Sequence, residues 1–229
     1  VWDYSINFTR DLTGLPFPSE VRYGDFYHEC RVHGVWGFFV EHESQFKSDF
    51  FELKLFLETK LMEDPSLDAE ALTARFMREY YGPAGEKIAK YRRDLDKLRT
   101  AKKGVIRWFP ALKDWDWFDP EHVASAQRLF DAAEAATDGR EPYLSRVKRA
   151  RVGLDRLLCQ RIVSRGGDRT PEFKAAEARL RSFWPKWMAR YRTLEQSKVL
   201  AKENAYVYDP DSGMNFQTAW SLPMSCLNL

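Results

Sequence analysis

The stretch VWGFFVEHES, residues 35–44, determines how the first part of this chain is expected to fold. It opens with a short, continuously apolar run, which favours a strand buried on both faces, as in a parallel sheet. Residues 1–8, VWDYSINF, predict a second strand, because β-branched and aromatic residues dominate them and no breaker interrupts them. Between the two strands, residues 20–33 are predicted to form a helix that Ser19 caps and Gly34 ends.

The same order of elements continues up to residue 62. After the strand over residues 35–40, apolar residues on one side predict a helix over about residues 45–62. Two parallel strands that are joined by a helix need further strands to bury them, and the sequence downstream predicts no set of further strands. We therefore expect residues 1–62 to be the end of a larger α/β sheet or barrel, and residues upstream of Val1 to belong to the same protein.

Residues 63–229 are predicted to form a helical region. Asp68 and Asp119 are predicted N-caps, and Pro185 is expected to bend or break its helix because proline removes a backbone donor. A Trp-rich connection, residues 104–118, precedes the helix that Asp119 caps. The predicted helices cover about 69–81, 84–100, 120–137, 141–164, 170–192 and 193–204, and residues 205–229 are expected to be irregular or short-stranded.

Composition and charge are those of an ordinary globular protein and disfavour a nucleic-acid partner. Hydrophobic residues make up 44% and charged residues 31% of the chain, which is enough apolar surface to offset the chain entropy lost on folding. The net charge of +2 gives no long-range field for nucleic acid. A local basic run is interpreted as a solvated helix face; its residues are Arg146, Lys148, Arg149 and Arg151, with Arg156 after them.

The sequence indicates no metal site, no cofactor and no membrane span. Cys30, Cys159 and Cys226 are far apart and form no C-x-x-C pair, which argues against a zinc site or a disulfide framework and leaves a single disulfide open. No phosphate-binding or dinucleotide-binding glycine motif is present, nor a familiar hydrolase nucleophile motif. No apolar run reaches the roughly 18 residues that a spanning helix needs.

The strongest candidate site is Glu41-His42-Glu43, directly after the buried strand. Ligands of α/β barrels and open sheets bind at the carboxyl ends of parallel strands. A carboxylate at such a position acts as an acid, a base or an acceptor for sugar hydroxyls. The alternative is that these residues are solvated loop residues or helix N-terminal charges, and His42 by itself is more often structural than functional.

The second candidate site is the strand segment Trp2-Asp3-Tyr4, taken together with Trp36. An inward Asp3 must be paired or solvated by a site, since a lone buried charge is costly. The rings of Trp2, Tyr4 and Trp36 are candidates for an apolar wall against a sugar ring, and ordinary core packing is the alternative. The segment 115–119, WDWFD, is interpreted as a helix-packing connection rather than a carbohydrate platform.

An ordered set of short motifs over about residues 1–100 resembles a bacterial domain-of-unknown-function family that is associated with glycoside hydrolase family 163. The order is a strand with W-x-Y, a proline loop, a helix, a G-V-x-G-x-F strand, a long leucine-rich helix and a Y-Y-G-x-A junction. The residues that carry the resemblance are Trp2-Asp3-Tyr4, Pro16-Phe17-Pro18, Gly34 to Phe39, Glu41, Leu53 to Leu61 and Tyr80 to Ala84.

This resemblance implies a (β/α)8 barrel with a helical C-terminal region, in which residues 1–8 and 35–40 are the last two strands. It also implies endo-β-N-acetylglucosaminidase-like hydrolysis of glycans, assisted by the substrate's own acetamido group, in a secreted or periplasmic protein. The acid of such enzymes comes from an earlier strand, so no residue of this chain is assigned as catalytic. Glu41 and Glu43 are expected to contact the glycan.

Two hypotheses follow, with different partners. In the first, the chain is the C-terminal part of a glycoside hydrolase-like protein, and its partners are a glycan substrate and the upstream part of the same barrel. In the second, it is a non-catalytic carbohydrate-binding or helical interaction module. An acidic residue at the end of an earlier barrel strand favours the first hypothesis.

Overall fold

The computed structural model describes residues 1–4, 12, 14–41 and 49–182, and this part of the protein is mostly helical with one small parallel sheet. His42 and Glu43 lie outside the described residues, as do Pro185 and everything predicted for residues 193–229. The expected helical character of the chain beyond residue 62 is confirmed as far as residue 182.

The sheet consists of two short parallel strands, β1 (Trp2–Tyr4) and β2 (Phe39–Glu41). The β2 strand begins later than the predicted run 35–40, and the expectation that it is buried on both faces is wrong for this chain, since Phe39 is 57% exposed. The physical reason is that only two strands pair among the described residues, and two parallel strands cannot cover each other's faces.

Among the described residues, six α-helices up to residue 164 follow the order that the sequence predicts, and three short 3-10 turns lie before or between them. The α-helices are α1 (Tyr23–Val32), α2 (Phe51–Glu63), α3 (Ala69–Tyr81), α4 (Gly85–Ala101), α5 (Pro120–Ala136) and α6 (Tyr143–Ser164). The 3-10 turns are Ser19–Arg22, Gly82–Ala84 and Leu112–Trp115, and residues 171–182 are again helical.

Two predicted N-caps and one predicted helix end are confirmed, whereas Ser19 lies inside the first 3-10 turn and caps no helix, so α1 begins at Tyr23. Asp68 accepts hydrogen bonds from the backbone N–H groups of Glu70 and Ala71, and Asp119 accepts one from that of His122. Gly34 follows α1 with φ of +78°, a left-handed conformation that glycine adopts without steric cost.

A buried ion cluster joins the proline loop to the helices. The Arg92 guanidinium, on α4, donates to both carboxylate oxygens of Glu20 at 2.8 and 2.7 Å and to Asp49 at 2.5 Å. Asp49 also accepts from the backbone N–H of Phe17 at 3.0 Å, and the guanidinium lies 4.2 Å above the ring of Phe50. Because all three charged side chains are buried, each depends on the others for its stability.

A second buried cluster fastens the 171–182 helix to α5 and α6. Asp155 accepts hydrogen bonds from Gln127 at 2.8 Å and from Arg179 at 2.6 and 2.8 Å, and Arg151 pairs with Glu134 at 2.8 Å. Arg151 and Arg156 are buried, so the interpretation of the basic run as a solvated face is wrong for these two residues. Their side chains face the helical core rather than water.

Helix α6 packs so closely against the loop before the first 3-10 turn that a side chain at Gly153 would have no space. A Cβ atom added to Gly153 would lie 2.4 Å from the carbonyl oxygen of Gly14. Real Cβ atoms do not approach a backbone oxygen this closely, so the absence of a side chain at Gly153 allows the two segments to touch.

Candidate functional site

The two strands end at the same edge of the sheet, because they run parallel and Tyr4 pairs with Glu41. Alternate residues of a strand point to opposite faces. Trp2, Tyr4, Phe39 and Glu41 therefore share one face, which we call the open face. Asp3 and Val40 point to the opposite face, which we call the helix face.

The open face carries a row of aromatic rings. Trp2 stacks on Tyr4 with ring centroids 6.1 Å apart and meets Phe39 edge-on at 4.9 Å. Tyr4 contacts the ring of Trp108 at 5.3 Å. Trp2 is 62% and Trp108 60% exposed, and large aromatic side chains that remain this accessible in a group mark surfaces that bind a ligand or partner.

The helix face is packed against α1. The Phe38 ring lies 4.9 Å from that of Tyr27 and 6.3 Å from that of Phe26. Burial raises the pKa of the Tyr27 hydroxyl, and the negative charges of Glu58 and Asp3 raise it further, so Asp3 lies near a buried tyrosine. Among the described residues, the Tyr27 hydroxyl has no hydrogen-bond partner.

The predicted site residues are therefore divided among three places. Trp2, Tyr4 and Glu41 lie together on the open face, whereas Asp3 lies on the helix face. Trp36 is 95% exposed and precedes β2 at the amino edge of the sheet, away from Glu41. His42 and Glu43 lie outside the described residues.

Sequence reasoning missed Trp108. The interpretation of the segment 115–119 as helix packing is confirmed for Trp115, Trp117 and Phe118, which are buried. Trp108 and its neighbour Phe109 lie outside that segment and are exposed. The available signal was the position of these two aromatic residues directly before Pro110, outside any helical periodicity that would direct them to a core.

The described residues contain no group of three or more histidine, cysteine, aspartate or glutamate side chains arranged to hold a metal ion. Cys30 and Cys159 are free thiols, and Cys226 lies beyond the described range. No helix in this part of the chain is long and apolar enough to cross a membrane. The chemistry that the open face offers is therefore stacking on aromatic rings beside a carboxylate.

Comparison with known proteins gives one match. Residues 1–93 match the model of a family described as "Domain of unknown function (DUF4838)". Searches of curated proteins and of solved structures found no match. The matched range runs from β1 into α4 and contains every predicted site residue, whereas Trp108 lies beyond it. The first 93 residues, with the two strands and the open face, are thus similar to this family of unknown function.

Proposed function

We propose that this chain is the C-terminal part of a glycoside hydrolase-like protein and that the carboxyl edge of its sheet, with Tyr4 and Glu41, contacts a glycan. The observation that carries the proposal is the pairing of Tyr4 with Glu41 at the ends of two parallel strands. Ligands of parallel sheets bind at this edge.

The division of the sheet into two faces supports a barrel. In a (β/α)8 barrel the helices pack on the outer face of the strands, and the inner face carries side chains that pack in layers. Here α1 covers the face with Phe38 and Val40, while the face with Trp2 and Phe39 is open. We infer that β1 and β2 are the last two strands of such a barrel, with the open face directed inward.

Aromatic rings beside a carboxylate suit a sugar better than a purely apolar ligand. A pyranose ring presents C–H groups that pack on an aromatic face, and its hydroxyl groups need hydrogen-bond acceptors when water is excluded. Tyr4 supplies such a face and Glu41 such an acceptor at one edge. Endo-β-N-acetylglucosaminidase-like activity is the specific reaction that we propose, with the catalytic acid on an earlier strand.

The test is a glycan array and a hydrolysis screen on the complete protein, with the variant Glu41→Gln. We expect binding that Glu41→Gln weakens at least about tenfold, because hydrogen bonds to charged groups contribute roughly 1.5–3 kcal/mol. Trp36→Ala is the control, since Trp36 lies at the other edge and is almost fully exposed; its affinity should equal that of the unaltered protein.

The outcomes separate the candidate functions. Binding with hydrolysis supports the enzyme, and binding without hydrolysis supports a non-catalytic carbohydrate-binding module instead. If the unaltered protein neither binds nor cleaves any glycan, both are wrong.

A further inference from the structure

We propose that Trp108 is a glycan-stacking residue, which the helical region places beside Tyr4 to form a second platform at the carboxyl edge of the sheet. This inference rests on the proposed function and adds a specificity to it. A site with two adjacent platforms prefers an oligosaccharide of two or more rings to a single sugar.

The ring geometry fits two sugar units better than one. The planes of Trp2 and Tyr4 are nearly parallel, at 23°, whereas the planes of Tyr4 and Trp108 are tilted by 58° with centroids 5.3 Å apart. A single flat sugar ring packs on only one of two surfaces inclined in this way. Two linked sugar rings are able to contact both surfaces, one ring on each.

The backbone on either side of Trp108 is held in place. On one side, the Gly104 N–H donates to the Arg99 carbonyl at 2.7 Å, and a Cβ at Gly104 would lie 2.6 Å from the buried Trp117 ring. On the other side, Pro110 is buried, and the Ala111 N–H donates to the Asp114 carboxylate at 3.0 Å. Anchoring on both sides means that little conformational entropy is lost when a ligand binds.

Other residues of the same connection are buried, whereas Trp108 is exposed, which indicates that Trp108 does not contribute to core packing. Ile106 packs against the hydrophobic core and Trp115 is fully buried, with its indole N–H donating to the Pro16 carbonyl at 2.9 Å. Trp108 is 60% exposed and its ring contacts a sheet residue. The connection thus uses other side chains for packing and leaves Trp108 at the carboxyl edge.

The experiment measures the affinity of the complete protein for two probes, N-acetylglucosamine and its β-1,4-linked trimer, by isothermal titration. We expect Trp108→Ala to weaken trimer binding about tenfold, equivalent to about 1.4 kcal/mol, and to change the affinity for the single sugar less than about twofold. Trp36→Ala, the same substitution at a tryptophan of the opposite edge, should change neither affinity.

A spectroscopic measurement distinguishes the loss of a stacking residue from a folding defect of the variant. The trimer should shift the tryptophan emission of the unaltered protein, and Trp108→Phe, which keeps an aromatic ring, should bind the trimer with a much smaller shift. If Trp108→Ala binds the trimer normally while Glu41→Gln weakens it, the second platform is wrong and the proposed function remains. If the unaltered protein binds neither probe, the second platform for this oligosaccharide is wrong, and the glycan array decides the proposed function separately.

Discussion

The sheet and the helical region of this protein differ in which side chains they bury and which they leave exposed. Where the helical region meets the first 62 residues even charged groups are buried, and Arg92 pairs there with Glu20 and Asp49 inside the protein. In the sheet, large aromatic groups remain accessible, and Trp2 and Phe39 contact mainly each other and Tyr4.

The difference teaches where contacts with other molecules are to be expected. Burying charges is costly unless partners compensate them, so the helical region is committed to one internal arrangement. Exposing several neighbouring aromatic rings is also costly unless something covers them. We interpret the helical region as the support, and the proposed function assigns the open face to contacts with a sugar and with further strands.

The largest expected effect on the free energy of unfolding comes from removing Arg92 from the buried ion cluster. Arg92→Leu should lower the free energy of unfolding of residues 1–229 by about 3–5 kcal/mol, because it leaves the buried carboxylates of Glu20 and Asp49 without the guanidinium that pairs with both. Urea denaturation measures this change. Arg93→Leu, the neighbouring and exposed arginine, is the matched control, and an equal loss in both variants would show that the cluster does not stabilise the fold.

The same cluster predicts a loss of stability in acid. Burial opposes ionisation of Glu20, but the Arg92 guanidinium, aided by Lys54, holds the pKa of Glu20 below its ordinary value of 4.5. A carboxyl whose pKa is lower in the folded state stabilises the protein above its unfolded pKa, and this stability is lost as the pH falls through the folded pKa.

The free energy of unfolding should therefore decrease as the pH falls below about 4.5. The decrease should be shallower in Glu20→Gln, which starts from a lower stability because Arg92 loses one anionic partner. Urea denaturation between pH 6 and pH 3 compares the two proteins. Parallel curves would mean that Glu20 does not titrate differently in the folded state.

A smaller effect is expected where the helices touch the proline loop. Gly153→Ala should lower the free energy of unfolding by about 1–3 kcal/mol, since its Cβ would displace the Gly14 carbonyl. Gly37→Ala is the control, because a Cβ at Gly37 meets nothing within 4 Å. Thermal unfolding of both variants tests whether a methyl group destabilises the protein at Gly153 and not at Gly37.

The smallest effect is expected in the sheet. Phe39→Ala should change the free energy of unfolding of residues 1–229 by less than about 1 kcal/mol, because its ring is more than half exposed. In the complete protein the same substitution should cost about 3–5 kcal/mol if further strands cover the ring. An equally small loss of unfolding free energy in residues 1–229 and in the complete protein would contradict the proposal that further strands cover Phe39 in a barrel.

Local sequence signals predicted the helices well. The helix over 69–81 was found with both ends correct, because the Asp68 cap and the Gly82-Pro83 junction act within a few residues of the chain. The strand over 1–8 is confirmed for Trp2–Tyr4, and the run 35–40 was found with its start misplaced. An apolar run indicates a strand without fixing the residues that pair.

Features that depend on distant partners were not predictable in the same way. Arg92 meets Glu20 across 72 residues of sequence and Arg151 meets Gln127 across 24, so the burial of these arginines has no local signal. The Tyr4–Trp108 contact joins the first strand to a connection in the helical region. Glu41 lies at the carboxyl end of β2, as the local strand pattern predicts, and its role as a site residue stays a prediction.

The central claim is that Glu41, at the carboxyl edge of the sheet, serves a ligand and not the stability of the fold. One experiment tests it most directly: the glycan affinity and the unfolding free energy of Glu41→Gln, measured on the same preparation of the complete protein. We predict an affinity at least about tenfold weaker, with an unfolding free energy within about 0.5 kcal/mol of the unaltered protein. An unchanged affinity, or a loss of stability as large as that of Arg92→Leu, would contradict the claim.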